Sequence, residues 1–304
     1  MPSYSVFPDL RALAWIAAIA APLAAAAQTV PPPDAPAEDL PRRLRVARHG
    51  ITWTFDREAP VENMPVYGRE FARAVGMASL LLCLDLPPEE KEPLLIGLAQ
   101  VGIDLWGLAQ DGQPATWRPL GVHGIGRKWP IVFAGWLLDD PRMQSPTKTL
   151  PDLVFSEDRQ TMFDVAWTGA RAVYAGHAGR DGHPRHAGWG RYEHLPPEQW
   201  EFNAESWRRC RTSSAWVAQA LAARLLRLEA QWNHEAFFAY VDRWIFEDDT
   251  AFVARIRQAK GWDFSADWAR QGAACDPCTK AMWQRYRTAP GMPPADTWKE
   301  RSGP

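Results

Sequence analysis

Residues 121–130 read Gly-Val-His-Gly-Ile-Gly-Arg-Lys-Trp-Pro and put an imidazole, a guanidinium and an ammonium on one glycine-loosened stretch. Glycine lets a backbone approach a ligand closely, and a loop that leads into a rigid helix is a usual place for reacting groups. His123 is a candidate for proton transfer near neutral pH. Arg127 and Lys128 suit an anionic or polyhydroxylated ligand, or else they pair with Asp139, Asp140 or another surface acid. A second candidate lies at Trp189-Gly190-Arg191-Tyr192-Glu193-His194. If that segment is extended, Tyr192 and His194 fall on one face as an acid–base pair; otherwise it is a polar loop.

Other clusters carry less. His177, His183 and His186 surround Asp181, but their spacing matches no metal motif, and no metal or cofactor is assigned. Glycoside hydrolysis needs two carboxylates flanking one bond. Glu70, Asp104, Glu157 and Asp158 are the options, and no pair stands out; Asp104 falls on the polar side of a helix. No P-loop, dinucleotide fingerprint or Gly-x-Ser-x-Gly elbow is present, so phosphate, nicotinamide and serine-esterase chemistry have no motif.

The chain has 304 residues, 46% of them apolar, enough for one sizeable core. A net charge of −2 gives no general attraction to nucleic acid or anionic membranes. The 17 tryptophans suit a helical core that also offers flat apolar faces. Those in or beside loops, Trp117, Trp129, Trp189 and Trp207, are the ones expected to meet a ligand. Of four cysteines, Cys275 and Cys278 are spaced for a small disulfide loop in an oxidising compartment. A redox role would need a βαβ context and a zinc site a second pair, and neither is visible. Cys83 reads as buried, and Cys210 as a thiol among arginines.

Residues 1–27 read as an export signal: Arg11, an apolar stretch from Leu13 to Leu23, then Ala25-Ala26-Ala27 as a cleavage site. Residues 28–60 hold a Pro/Ala-rich linker and a short β-like remnant. No later segment reads as a membrane helix. Residues 61–288 form the expected helical domain, and 289–304 a loose Pro-rich tail. Phe71, Val75, Ala78 and Leu82 predict a helix over Tyr67–Leu86, and Leu94 to Leu108 the next, joined through Pro87-Pro88. A third is expected over Trp129–Asp139, a short strand over Thr161–Trp167, and further helices from Ser213, after an N-cap at Asn233, and over Thr250–Lys260. Most of 141–211 is irregular, a loop-rich insertion. The fold class is therefore mainly α, built of antiparallel helix hairpins.

Three segments carry a resemblance: Glu62-Asn63-Met64-Pro65-Val66-Tyr67-Gly68-Arg69-Glu70, His123-Gly124-Ile125-Gly126-Arg127-Lys128-Trp129-Pro130, and Trp207-Arg208-Arg209-Cys210-Arg211-Thr212. With their helices they resemble exported bacterial proteins similar to α/α-toroid polysaccharide lyases of the alginate lyase and heparinase kind, over roughly residues 60 to 250. The resemblance implies an incomplete α/α toroid acting on an acidic polysaccharide or oligosaccharide by β-elimination. Asn63, Arg69 and Arg127 would neutralise the uronate carboxylate, and Lys128, Trp129, Trp189 and Trp207 would hold sugar. His123 or His194 would be the base and Tyr67 or Tyr192 the acid. His49 to Asp56 looks like the start of a β-rich region, so the resemblance also implies a missing segment. A glycan-binding or scaffold protein, or a glycoside hydrolase, is the alternative.

Overall fold

The computed structural model describes residues 67–110, 117, 124–176, 190–264 and 277–299 of the 304. They are mainly helical, with one two-stranded sheet among them. Helix α1 spans Tyr67–Leu82 and buries the expected face, with Phe71, Val75 and Ala78 fully enclosed. It stops four residues before the predicted end at Leu86. The peptide N–H of Leu84 turns back to Leu81 O, and the Lys91 ammonium takes the carbonyls of Leu82 and Leu84. Pro87 also biases Leu86 away from helical geometry.

Helix α2, Pro88–Gln110, opens with a proline in its first turn and Glu89 and Glu90 beside it, where acids suit the helix dipole. It is long and apolar enough to cross a membrane by length and composition, yet half of its most apolar window is buried. It packs on α3, Lys128–Leu137. Gly102 makes that approach possible: a Cβ there would sit 2.1 Å from the Pro130 carbonyl oxygen. Helix α3 is enclosed from Lys128 to Gly135, so it is a core helix rather than the rim of a cleft.

Beyond Asp140, short helical turns at Pro141–Gln144 and Pro146–Thr149 lead to α4, Ser156–Gln160. Asp140 caps the first of them by accepting the Arg142 N–H at 2.9 Å. The predicted strand is shorter than expected. β1, Thr161–Phe163, pairs antiparallel with β2, Ala172–Tyr174, in the register Thr161↔Tyr174 and Phe163↔Ala172. The return strand lies inside the stretch read as irregular.

Helix α5, Phe202–Trp207, runs through a π turn at Arg208–Thr212 into α6, Ser213–Leu225. Helix α6 packs on α1. A short turn, Glu229–Trp232, ends at Asn233, whose φ of 59° is left-handed. Asn233 therefore closes that turn rather than capping α7, Glu235–Phe246, which His234 precedes. Helices α8, Thr250–Lys260, and α9, Pro277–Tyr286, follow. The tail read as loose is packed as far as it is described: Trp298 is buried, its carbonyl accepts the Arg171 N–H, and Arg287 holds the carbonyls of Pro293 and Pro294. No disulfide joins the described cysteines; Cys278 is buried in α9, and Cys275 lies outside the described residues. Burial pushes the Cys83 thiol up to about 12.

Candidate functional site

Of the residues expected to do chemistry, His123, Asn63 and Trp189 lie outside the described residues, as do His177, His183 and His186. Tyr67 is the first residue of α1. The others fall into separate environments.

The loop ahead of α3 is pulled inward. Gly126 has φ of +88°, and a Cβ there would lie 2.7 Å from Ala72 Cα, so only glycine seats this turn against α1. Its N–H donates to Glu157 Oε1. Arg127 is 1% exposed, with its guanidinium 4.1 Å over the Phe71 ring and Nη1 donating to Ile125 O at 2.6 Å. The Lys128 ammonium is fully buried and meets Asp158 Oδ2 at 2.5 Å, between the Phe155 and Trp232 rings. Trp129 is also enclosed; its Nε1 donates to Ser79 Oγ at 2.6 Å and its ring stacks on Trp232. Trp117 stacks on Phe155.

These placements correct the expectation of a ligand-facing cation pair and a sugar-facing Trp129. The acid that Lys128 meets is Asp158, rather than Asp139 or Asp140, together with two aromatic rings. Burial pushes Arg127 down to about 10, opposed by Glu157, and also lowers Lys128, opposed by Asp158. Burial raises Glu157 to about 7, against the pull of the Gly126 N–H. Three buried polar atoms near this turn have no hydrogen-bond partner: Trp117 Nε1, Arg127 Nη2 and Glu157 Oε2.

The second polar centre was not singled out as a unit by sequence. Glu205, on α5, sits between Arg208 and Arg209, three and four residues on, at 3.2 and 2.5 Å. Arg208 also meets Glu193 at 2.9 Å and donates through Nε to Tyr240 OH. Arg243 joins Glu193 at 3.0 Å to Glu247 at 2.8 Å, and Arg209 reaches Asp249 at 2.7 Å. The π turn lies where these adjacent arginines both turn inward, and such widened turns often accompany special side-chain arrangements. Burial works against the Glu205 carboxylate, but Arg208 and Arg209 outweigh it and hold its pKa below the usual value.

Tyr192 belongs to this centre. Its OH donates to Glu205 Oε2 at 2.8 Å, and burial, reinforced by the Glu205 charge, raises its pKa well above 10. Residues 193 and 194 form a turn, so Tyr192 is buried while His194 is exposed. The extended geometry that would have placed them on one face is absent. Arg69 is spent on Glu70 at 2.6 Å and on the Cys210 carbonyl. Trp207 lies under the Arg211 guanidinium at 4.6 Å. Asp104 accepts from Gln100 on the exposed face of α2.

A groove of roughly 470 Å³ opens between β1 and the turn into α7. Phe163, 50% exposed, offers a ring face there, and Glu229, Asn233, His234 and Glu235 surround it. His234 Nε2 lies 3.0 Å from both Thr161 O and Thr161 Oγ1. Thr161 Oγ1 donates its own hydrogen to Glu157 O at 2.7 Å, so both atoms facing the imidazole are acceptors. Nε2 must therefore carry a proton directed at Thr161, which leaves Nδ1 as the other polar edge of the ring. Sequence reasoning missed this group because Asn233 was read as a cap. The available signal was Asn-His-Glu directly after the Glu229–Trp232 turn.

A smaller pocket of roughly 70 Å³ lies over the Glu205 centre, walled by Trp167, Trp200 and Phe252. Among the described residues no group of three or more His, Cys, Asp or Glu side chains could hold a metal ion. Comparison with family models, with curated proteins and with solved structures finds no match for this chain.

Proposed function

We propose that this protein is an exported, non-catalytic carbohydrate-binding protein and that the groove between β1 and α7 receives the sugar. The observation that carries the reading is the groove itself: a half-exposed Phe163 ring beside Asn233, His234, Glu229 and Glu235. Sugar rings present an apolar C–H face and a rim of hydroxyls, which need one flat ring and several planar polar groups. Export rests on the amino-terminal sequence, and kinship with α/α-toroid lyases on the three resembling segments and on helices paired through short turns.

Binding is favoured over β-elimination by how the expected cations are used. A lyase needs free donors to neutralise a uronate carboxylate as charge develops. Arg127 and Lys128 are enclosed, Arg69 is engaged with Glu70, and Tyr192 is buried on Glu205. The test is calorimetry of the full chain with an oligosaccharide panel, alongside ultraviolet absorbance on uronate polysaccharides. The expected result is saturable binding weakened about tenfold in Phe163→Ala, with no rise in absorbance. A rise that disappears in His123→Ala would overturn the reading in favour of a lyase. Failure of a folded sample to bind any oligosaccharide would overturn it altogether.

A further inference from the structure

We infer that the β1–α7 groove selects sugars bearing a free amine, an inference that rests on the carbohydrate-binding reading and names its ligand class. The groove is lined by hydrogen-bond acceptors. Glu229 and Glu235 bring two carboxylates, and His234 lines the same space with its Nε2–H committed to Thr161. Asn233 can turn its amide oxygen to the same space. Among the described residues neither lysine nor arginine lines the groove.

Three arginines, Arg224, Arg287 and Arg227, act on Glu229. Arg224 Nε is 3.9 Å from Glu229, beyond hydrogen-bond reach, and its Nη1 is held by Asp242 at 2.7 Å. Asp242 also holds Arg287 at 2.6 Å. Burial raises the Glu229 pKa despite these three arginines, as expected of a carboxylate whose charge is not fully compensated. Among the described lining residues a uronate would meet two carboxylates and no cationic donor. An ammonium brings three donors and a positive charge. It can donate to a carboxylate while the sugar face lies on Phe163, where the ring also attracts a cation.

The experiment is calorimetry of the full chain with oligomers of one length: free-amine glucosamine, its N-acetylated counterpart, and a neutral glucose oligomer. Acetylation removes the charge and keeps the ring. The glucosamine oligomer is expected to bind about tenfold tighter than the other two. The preference should shrink in Glu235→Gln, an exposed position where the change leaves the core untouched, and in high salt. Equal affinity for all three oligomers would overturn the amine preference and leave carbohydrate binding standing. No binding to any oligomer would remove both. Spermidine binding as tightly as the glucosamine oligomer would show that charge alone is read, which also overturns an amino-sugar site.

Discussion

Two buried ionic regions of this molecule use the same residue types to opposite effect. Around Glu205, each arginine meets carboxylates directly: Arg208 has Glu205 and Glu193, Arg209 has Glu205 and Asp249, Arg243 has Glu193 and Glu247. Around Glu157, proximity is not matched by bonding. Arg127 spends Nη1 on the Ile125 carbonyl, Glu157 takes a peptide N–H, and one atom of each is left without a partner. The result is a carboxylate held low in one place and raised to about 7 in the other. Burial is complete at both. What differs is the number of charged donors aimed at the carboxylate, and that outweighs distance to the nearest cation.

Breaking the satisfied region should cost most. Arg208→Met strips a direct cation from both Glu193 and Glu205, each no more than 1% exposed. Removing one member of a buried ion pair costs about 3–5 kcal/mol, because the partner's charge stays buried. Urea denaturation at pH 7 should show that loss. A loss below about 1 kcal/mol would mean that water reaches the network and that it is not the closed unit described here.

The unsatisfied region should respond to pH with the opposite sign to an ordinary ion-paired acid. Glu157 is raised from 4.5 to about 7, so between those values the folded chain binds a proton that the unfolded chain has released. Stability from this group is present below pH 4.5 and falls as pH rises towards 7, by on the order of 3 kcal/mol. Glu157→Gln keeps the shape and cannot ionise. The difference in unfolding free energy between wild type and Glu157→Gln should therefore shift in favour of the variant as pH rises across that window. A difference flat in pH would mean that Glu157 ionises as easily folded as unfolded.

Much of the helical frame was legible because its periodicity is local. The apolar steps in α1 name its buried face, and α8 has the boundaries read from sequence, whereas α6 is buried on every side from Ser213 to Arg224. The polar regions were not legible for the converse reason. Lys128 and Trp129 follow a glycine-rich loop and so look like ligand groups. Their burial is decided by Asp158, Trp232 and Ser79, which lie 30 or more residues away along the chain. Glu193 was passed over between Tyr192 and His194 because a strand would have turned it away, and the chain makes a turn there instead. The fully buried Trp298 and the π turn likewise depend on tertiary partners that no local pattern announces.

Tyr192→Phe tests how far the satisfied network tolerates a smaller loss. It deletes one neutral donor to Glu205, which keeps both arginines. The expected cost is about 1 kcal/mol, the net value of one hydrogen bond. It should be read by thermal or urea unfolding, with oligosaccharide affinity unchanged because Tyr192 does not line the β1–α7 groove. A change in affinity would bring Tyr192 back into ligand recognition.

The smallest effect should come from Lys128, a cation expected from sequence to hold sugar. Lys128→Met removes a fully buried ammonium whose partner Asp158 is not buried to the same degree, its side chain being 17% exposed. Asp158 would still accept the Trp232 Nε1 hydrogen at 3.1 Å and would still reach water. Methionine keeps the length and apolar stem that pack between Phe155 and Trp232, and the desolvation cost of the ammonium disappears. Removing one partner of an ion pair is costly when the other charge stays buried, and Asp158 keeps access to water. The variant should therefore unfold within about 1 kcal/mol of wild type, in contrast to Arg208→Met, whose two partners are no more than 1% exposed. If Lys128→Met were as damaging as Arg208→Met, the accessibility of the partner carboxylate would not be what separates the two regions.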